Sequence, residues 1–142
     1  MKPLDDVRVP VRHRLAALWA ALMFCYVYGD FFGLFVPGRL KDMMAGNFGP
    51  MGPTTDGLLV GSSLLLAVPA LMIYATLVVP ARACQWANLL LGVFYAVVMA
   101  LTMPGSPLFY QALGVVEIAI GLVTVVTAWR WPRAVSTNRH PI

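Results

Sequence analysis

A chain of 142 residues that is 60% hydrophobic and 11% charged has too few polar residues to cover a water-soluble fold. Soluble domains carry about 25% charged residues, and short chains leave much of their surface in water. The net charge of +4 does not point to nucleic acid, because the basic residues flank apolar runs and no aromatic-basic groove pattern occurs.

A membrane-spanning helix needs about 20 mainly apolar residues. The first such run extends from Leu15 to Val36 and is closed by Pro37-Gly38. Its apolar stretch exceeds the ~7–15-residue core of a signal peptide and no A-x-A site follows, so a retained helix is expected. It contains Asp30, and a carboxylate in hydrocarbon costs several kcal/mol unless it is paired, protonated or wet. The connection that follows, from Pro37 to Asp56, is longer than a tight turn requires. Its Arg39-Leu-Lys-Asp-Met-Met segment is expected to form one or two helical turns on the membrane surface. Its Gly49-Pro-Met-Gly-Pro segment cannot be helix interior. The second span runs from Gly57 to Val79, with Pro69 inside it as a kink, and stops at Pro80. A tight connection, Pro80 to Gln85, leads to a third span from Trp86 to Met103. Pro104 to Pro107 turns into a fourth, from Leu108 to Trp131, which contains Glu117.

The expected architecture is therefore all-α: one integral membrane four-helix bundle over residues 1–142, with antiparallel neighbours. Lys2, Arg8, Arg12, Arg14, Arg82, Arg130, Arg133 and Arg139 fall on one side, and only Arg39 and Lys41 on the other. By the positive-inside rule both termini are cytoplasmic. Trp19, Trp86, Trp129 and Trp131 all fall toward that side, where an aromatic belt is expected. Similar Pro-Gly stops after spans one and three, and Pro-Ala-Arg and Pro-Arg-Ala after spans two and four, make a faint internal repeat that the recurring stops alone can explain.

Asp30 lies roughly 9 Å below the exterior interface and Glu117 roughly 13 Å, at about 1.5 Å rise per residue. At such similar levels they can line one site if spans one and four face each other. Tyr110, Gly114, Glu117, Gly121 and Thr124 share one helical stripe, as do Tyr26, Asp30, Gly33 and Pro37. Ser62 and Tyr95 add polar groups from spans two and three. The candidate ligand-binding set is Asp30, Glu117, Tyr26, Tyr110, Ser62 and Tyr95. It would form a polar pocket in the exterior half with the Gly-Pro loop as lid and Arg39 and Lys41 at the rim, and the tyrosine hydroxyls would be placed to donate to the carboxylates. The bland alternatives are a water-exposed Asp30 and a Glu117 held by a structural hydrogen bond. Gly29/Gly33 and Gly57/Gly61 have the four-residue spacing that lets helices approach closely.

Other chemistry has no support in the residues. His13 and His140 stand at the ends without partner ligands at metal spacing, so neither a metal nor any other cofactor is expected. The buried histidine that heme would need is missing. Cys25 and Cys84 read as small hydrophobes rather than a disulfide.

The runs Leu18-Trp19, Leu22-Met-Phe-Cys-Tyr-Val-Tyr-Gly-Asp30, Phe32-Gly-Leu, Val36-Pro-Gly and Gly49-Pro-Met-Gly-Pro resemble a bacterial domain-of-unknown-function family of small four-span membrane proteins. Pro69-Ala-Leu-Met-Ile, Leu101-Thr-Met-Pro-Gly and Val116-Glu117 extend the resemblance over nearly the whole chain. It implies a multi-pass protein of the cell inner membrane and no assigned activity. A distant likeness to DoxX-like membrane proteins rests on size and span count. Three function classes follow. The leading one is small-molecule or ion binding and transport around Asp30 and Glu117, with membrane lipids as surroundings and a homo-oligomer as a means of widening the path. An intramembrane enzyme would use a carboxylate as general acid or base on a lipid or isoprenoid. A structural or regulatory subunit would use both acids only to fix helix pairing.

Overall fold

The computed structural model describes residues 7–133, so Lys2, Arg139 and His140 lie outside the described residues. Its helices are α1 (Val11–Gly33), α2 (Arg39–Met44), α3 (Asp56–Val78), α4 (Ala81–Thr102) and α5 (Leu108–Trp129), with a 3-10 turn at Gly49–Met51. The four long helices have 22 or 23 residues and are apolar enough to cross a membrane. At about 1.5 Å per residue each covers the ~30 Å hydrocarbon core.

Prolines punctuate these helices mostly at their starts. Pro10, Pro80 and Pro107 occupy the position just before α1, α4 and α5, each with extended ψ. Proline has φ preset for entry into a helix and cannot extend the helix before it. Pro80 therefore ends α3 and starts α4 with almost no connection between them. The third span is longer than the expected start at Trp86 allows. Ala81 to Gln85 are helical, and Cys84 is buried in the first turns of α4 rather than in a loop. α1 starts at Val11 and ends at Gly33, before Pro37 is reached. Gly38, at φ 85°, then starts α2 in a left-handed conformation open to glycine.

α1 packs on α3 and on α5, and α5 packs on α4, while α3 and α4 touch only sparsely. The helices thus form an arc, α3–α1–α5–α4, rather than four equal contacts. At the end that holds α1's start and the α3–α4 turn, here the terminal end, polar bonds close the arc. Arg12 donates to the carbonyls of Thr76, Leu77 and Val79 at 3.0, 3.1 and 2.8 Å. A guanidinium there satisfies carbonyls that the end of α3 leaves without helical partners. Trp19 Nε1 donates to Asn88 Oδ1 at 2.7 Å, and Asn88 donates to the Cys84 carbonyl at 2.8 Å and reaches Thr76 Oγ1 at 3.5 Å. Trp19 is only 1% exposed, so it belongs to the core and not to an interfacial belt, whereas Trp86 and Trp129 are exposed.

The close helix approaches are not at the two expected glycine pairs. A Cβ on Gly57 or Gly61 would meet nothing within 4 Å, and one on Gly29 or Gly33 would make only ordinary contact. The tight seam lies between α4 and α5. A Cβ on Gly121 would stand 3.1 Å from the Gly92 carbonyl oxygen, and one on Gly92 would stand 2.9 Å from Val125 Cγ2. Spacing alone locates glycines that could permit close packing but does not identify which face a neighbour.

Candidate functional site

The opposite end, here the loop end, carries the α1–α3 connection and the α4–α5 turn. The long connection folds on itself: Phe48 N–H donates to the Gly52 carbonyl and Thr54 N–H to the Gly46 carbonyl, both at 2.7 Å. The α4–α5 turn is held by Ser106 Oγ donating to the Met103 carbonyl at 2.6 Å and by Gln111 Nε2 donating to the Ser106 carbonyl at 2.8 Å. Between these two ordered segments and the end of α1 lies a cavity of about 810 Å³.

Asp30 and Tyr110 line this cavity, as do Arg39, Thr102 and Ser106. The rest of the wall is mainly apolar, including Phe31, Leu34, Met43, Phe48 and Met51. Asp30 faces the opening because the buried stripe of α1 passes through Gly29 and Gly33, leaving position 30 at its edge. The Arg39 guanidinium folds back over Gly33, 4.0 Å from where a Cβ would be. There it is within electrostatic reach of Asp30.

Glu117 lies deeper, seven residues beyond Tyr110, or about 10 Å along α5. It belongs to the buried stripe Gly114, Glu117, Gly121, Thr124 and Ala128. It is 4% exposed, and its Oε2 has no hydrogen-bond partner among the described residues. Asp30 is near enough to repel it, and Tyr26 lies within electrostatic reach of Glu117, Tyr95, Tyr110 and Cys25. Between the levels of Tyr110 and Glu117 stands Gly114, with Met99 and Met103 of α4 laid over it. A Cβ there would come within 2.7 Å of both side chains. Two flexible thioethers thus cover α5 between the levels of Tyr110 and Glu117.

Five of the six residues anticipated for one site, Asp30, Glu117, Tyr26, Tyr95 and Tyr110, fall in this neighbourhood, at two levels. Ser62 is on α3, which packs on α1, and it is not among the residues that line the cavity. The expected tyrosine donation to the Glu117 carboxyl is not found at Oε2. Tyr95's hydroxyl instead donates to the Leu65 carbonyl at 2.6 Å, and Tyr110's lies 3.5 Å from Thr102 Oγ1. The sequence gives no sign that the α4–α5 turn walls a cavity. Its Pro-Gly-Ser-Pro residues read as a simple reversal, and only the folded position of the long loop opposite makes them a wall.

The family model that matches residues 5–137 is described as a family of unknown function, DUF6326, and the chain belongs to that family. Comparison with curated proteins and with solved structures gives no match.

Proposed function

We propose that this member of the DUF6326 family is a multi-pass protein of the bacterial inner membrane that binds a small molecule or ion in a cup open to the cell exterior, as the binding step of transport. Its termini lie in the cytoplasm on this reading. The charge distribution supports that orientation: Arg8, Arg12, Arg14, Arg82, Arg130 and Arg133 gather at the terminal end, against Arg39 and Lys41 at the loop end.

The observation that carries the proposal is the pair of acids at two depths. Asp30 opens to a cavity of about 810 Å³, and Glu117 lies beneath it, buried and without a partner at Oε2. A purely structural acid in hydrocarbon would be expected to have its oxygens satisfied, because an unpaired buried polar atom is costly. A cavity of this size, mostly apolar with a few polar groups, has the character of a small-molecule site. The polar bonds at the terminal end close the bundle there, as suits a binding state accessible from one side.

Native mass spectrometry of the protein taken from membranes in mild detergent tests this. Wild-type protein should carry a small-molecule mass whose occupancy Asp30→Asn lowers about tenfold, a change of ~1.4 kcal/mol. Equal occupancy in both proteins, or lipid alone in both, would overturn it.

A further inference from the structure

The charges around the cup do not balance. Asp30 and Glu117 are two acids within mutual electrostatic reach, and of the residues that line the cavity Arg39 alone is a cation. Arg39 sits at the cavity level, over Gly33, and so answers Asp30 and not Glu117. The groups within reach of Glu117 on α1, Cys25 and Tyr26, supply no positive charge, and neither do Tyr95 and Tyr110, which neighbour Tyr26. α3 brings only Asp56 and Tyr74 as ionisable groups, near its two ends. One unit of positive charge is therefore missing when both carboxyls are ionised. A proton on Glu117 supplies it, and so does a cation entering the cup.

We infer that the cup takes a monovalent organic cation with an apolar body, and that Glu117 exchanges its proton for that cation. This rests on the reading of the cavity as a binding site. A carboxyl 4% exposed with Oε2 unpartnered holds a proton on this reading, because its charged form would stand uncompensated in the empty protein. When the cation enters, the Glu117 carboxyl releases that proton to solvent and the carboxylate balances the incoming charge. One positive charge replaces another, so the site's total charge is unchanged. Phe31, Phe48 and Tyr110 offer aromatic faces that attract a cation, and Met43 and Met51 offer soft apolar surface to its body. Met99 and Met103, which lie over Gly114 between the levels of Tyr110 and Glu117, are unbranched and can change rotamer to let the two levels communicate. A bare metal ion fits less well. No three His, Cys, Asp or Glu side chains gather among the described residues, and a dehydrated ion needs several oxygens to replace its water.

Tetraphenylphosphonium is a suitable probe, being monovalent, apolar and unable to carry a proton itself. Its binding to purified protein in weakly buffered detergent can be measured by equilibrium dialysis, with released protons read by an indicator dye. The expected result is about one proton released per cation bound, with apparent affinity rising as pH rises because fewer protons compete. Glu117→Gln should abolish the release, and Glu117→Asp should retain it. The stoichiometry on wild-type protein is decisive even if Glu117→Gln does not fold. Cation binding without proton release, or with unchanged release in folded Glu117→Gln, overturns the exchange and leaves the cup standing. Binding of benzoate instead of the phosphonium overturns the cation class and also leaves the cup standing. If neither probe binds and the membrane-extracted protein carries no small molecule, the binding site and the exchange fall together.

Discussion

Pro69 removes an amide donor from the middle of α3, which leaves the Leu65 carbonyl, four residues earlier, without its helical partner. The Tyr95 hydroxyl fills that vacancy at 2.6 Å and gives α4 one of its few holds on α3. Such a bond inside a membrane is worth about 0.6–2 kcal/mol. Tyr95→Phe should lower thermal stability in detergent by that order. In a Pro69→Ala background the same substitution should cost less, because alanine at that position supplies the missing N–H to the Leu65 carbonyl. Equal costs in the two backgrounds would show that the hydroxyl does not serve the kink. Asn88 is satisfied in a similar way: it receives Trp19 and reaches both Cys84 and Thr76, so three helices meet at one buried amide. Glu117 stands apart from these satisfied groups, and that contrast is what favours a functional role for it over a packing role.

Helix against helix, the seam between α4 and α5 is the tightest contact of the fold. Gly92 and Gly121 face each other there, with backbone oxygen where a side chain would otherwise be. Gly121→Ala should force the two helices apart and cost about 1–3 kcal/mol, the usual range for overpacking, readable as a lowered unfolding temperature. Gly57→Ala and Gly61→Ala should leave that temperature unchanged or raise it, since a Cβ at either position would meet nothing within 4 Å among the described residues and alanine is the better helix former. A marked loss of stability in the Gly61 variant would mean that a further helix packs on α3. These substitutions separate glycines that serve an internal contact from glycines that merely share the same spacing.

For the whole molecule, the distribution of bonds makes the two ends unequal. Arg12, Trp19, Asn88 and Gln85 tie the helices together at the terminal end, where Gln85 Nε2 also donates to the Ala128 carbonyl at 2.9 Å. The loop end instead holds the cavity. The proposed orientation puts α2 outside the cell and the α3–α4 turn inside. In a Cys25→Ala, Cys84→Ala background, Met44→Cys should react with an impermeant thiol reagent on intact spheroplasts, and Arg82→Cys only after permeabilisation. The reverse pattern would invert the molecule and turn the cup toward the cytoplasm.

Local pattern along the chain was enough for the apolar helices, their order, the surface helix at Arg39–Met44 and the inward stripe of α5. These follow from length, hydropathy and the 3.6-residue period, none of which needs a distant neighbour. The same reading singled out Asp30 and Glu117, because a carboxylate is conspicuous in an apolar run whatever surrounds it. Which faces meet became legible only in three dimensions. Packing moved Trp19 from an expected interface to the core, kept Ser62 out of the cavity lining, and shifted the close glycines to Gly92 and Gly121. It also left Glu117 Oε2 without a partner while Tyr95 bonds the carbonyl freed by Pro69. The physical reason is that a helix presents several polar and small residues around its circumference, and the pattern along one chain segment does not contain the rotation and neighbour that select among them.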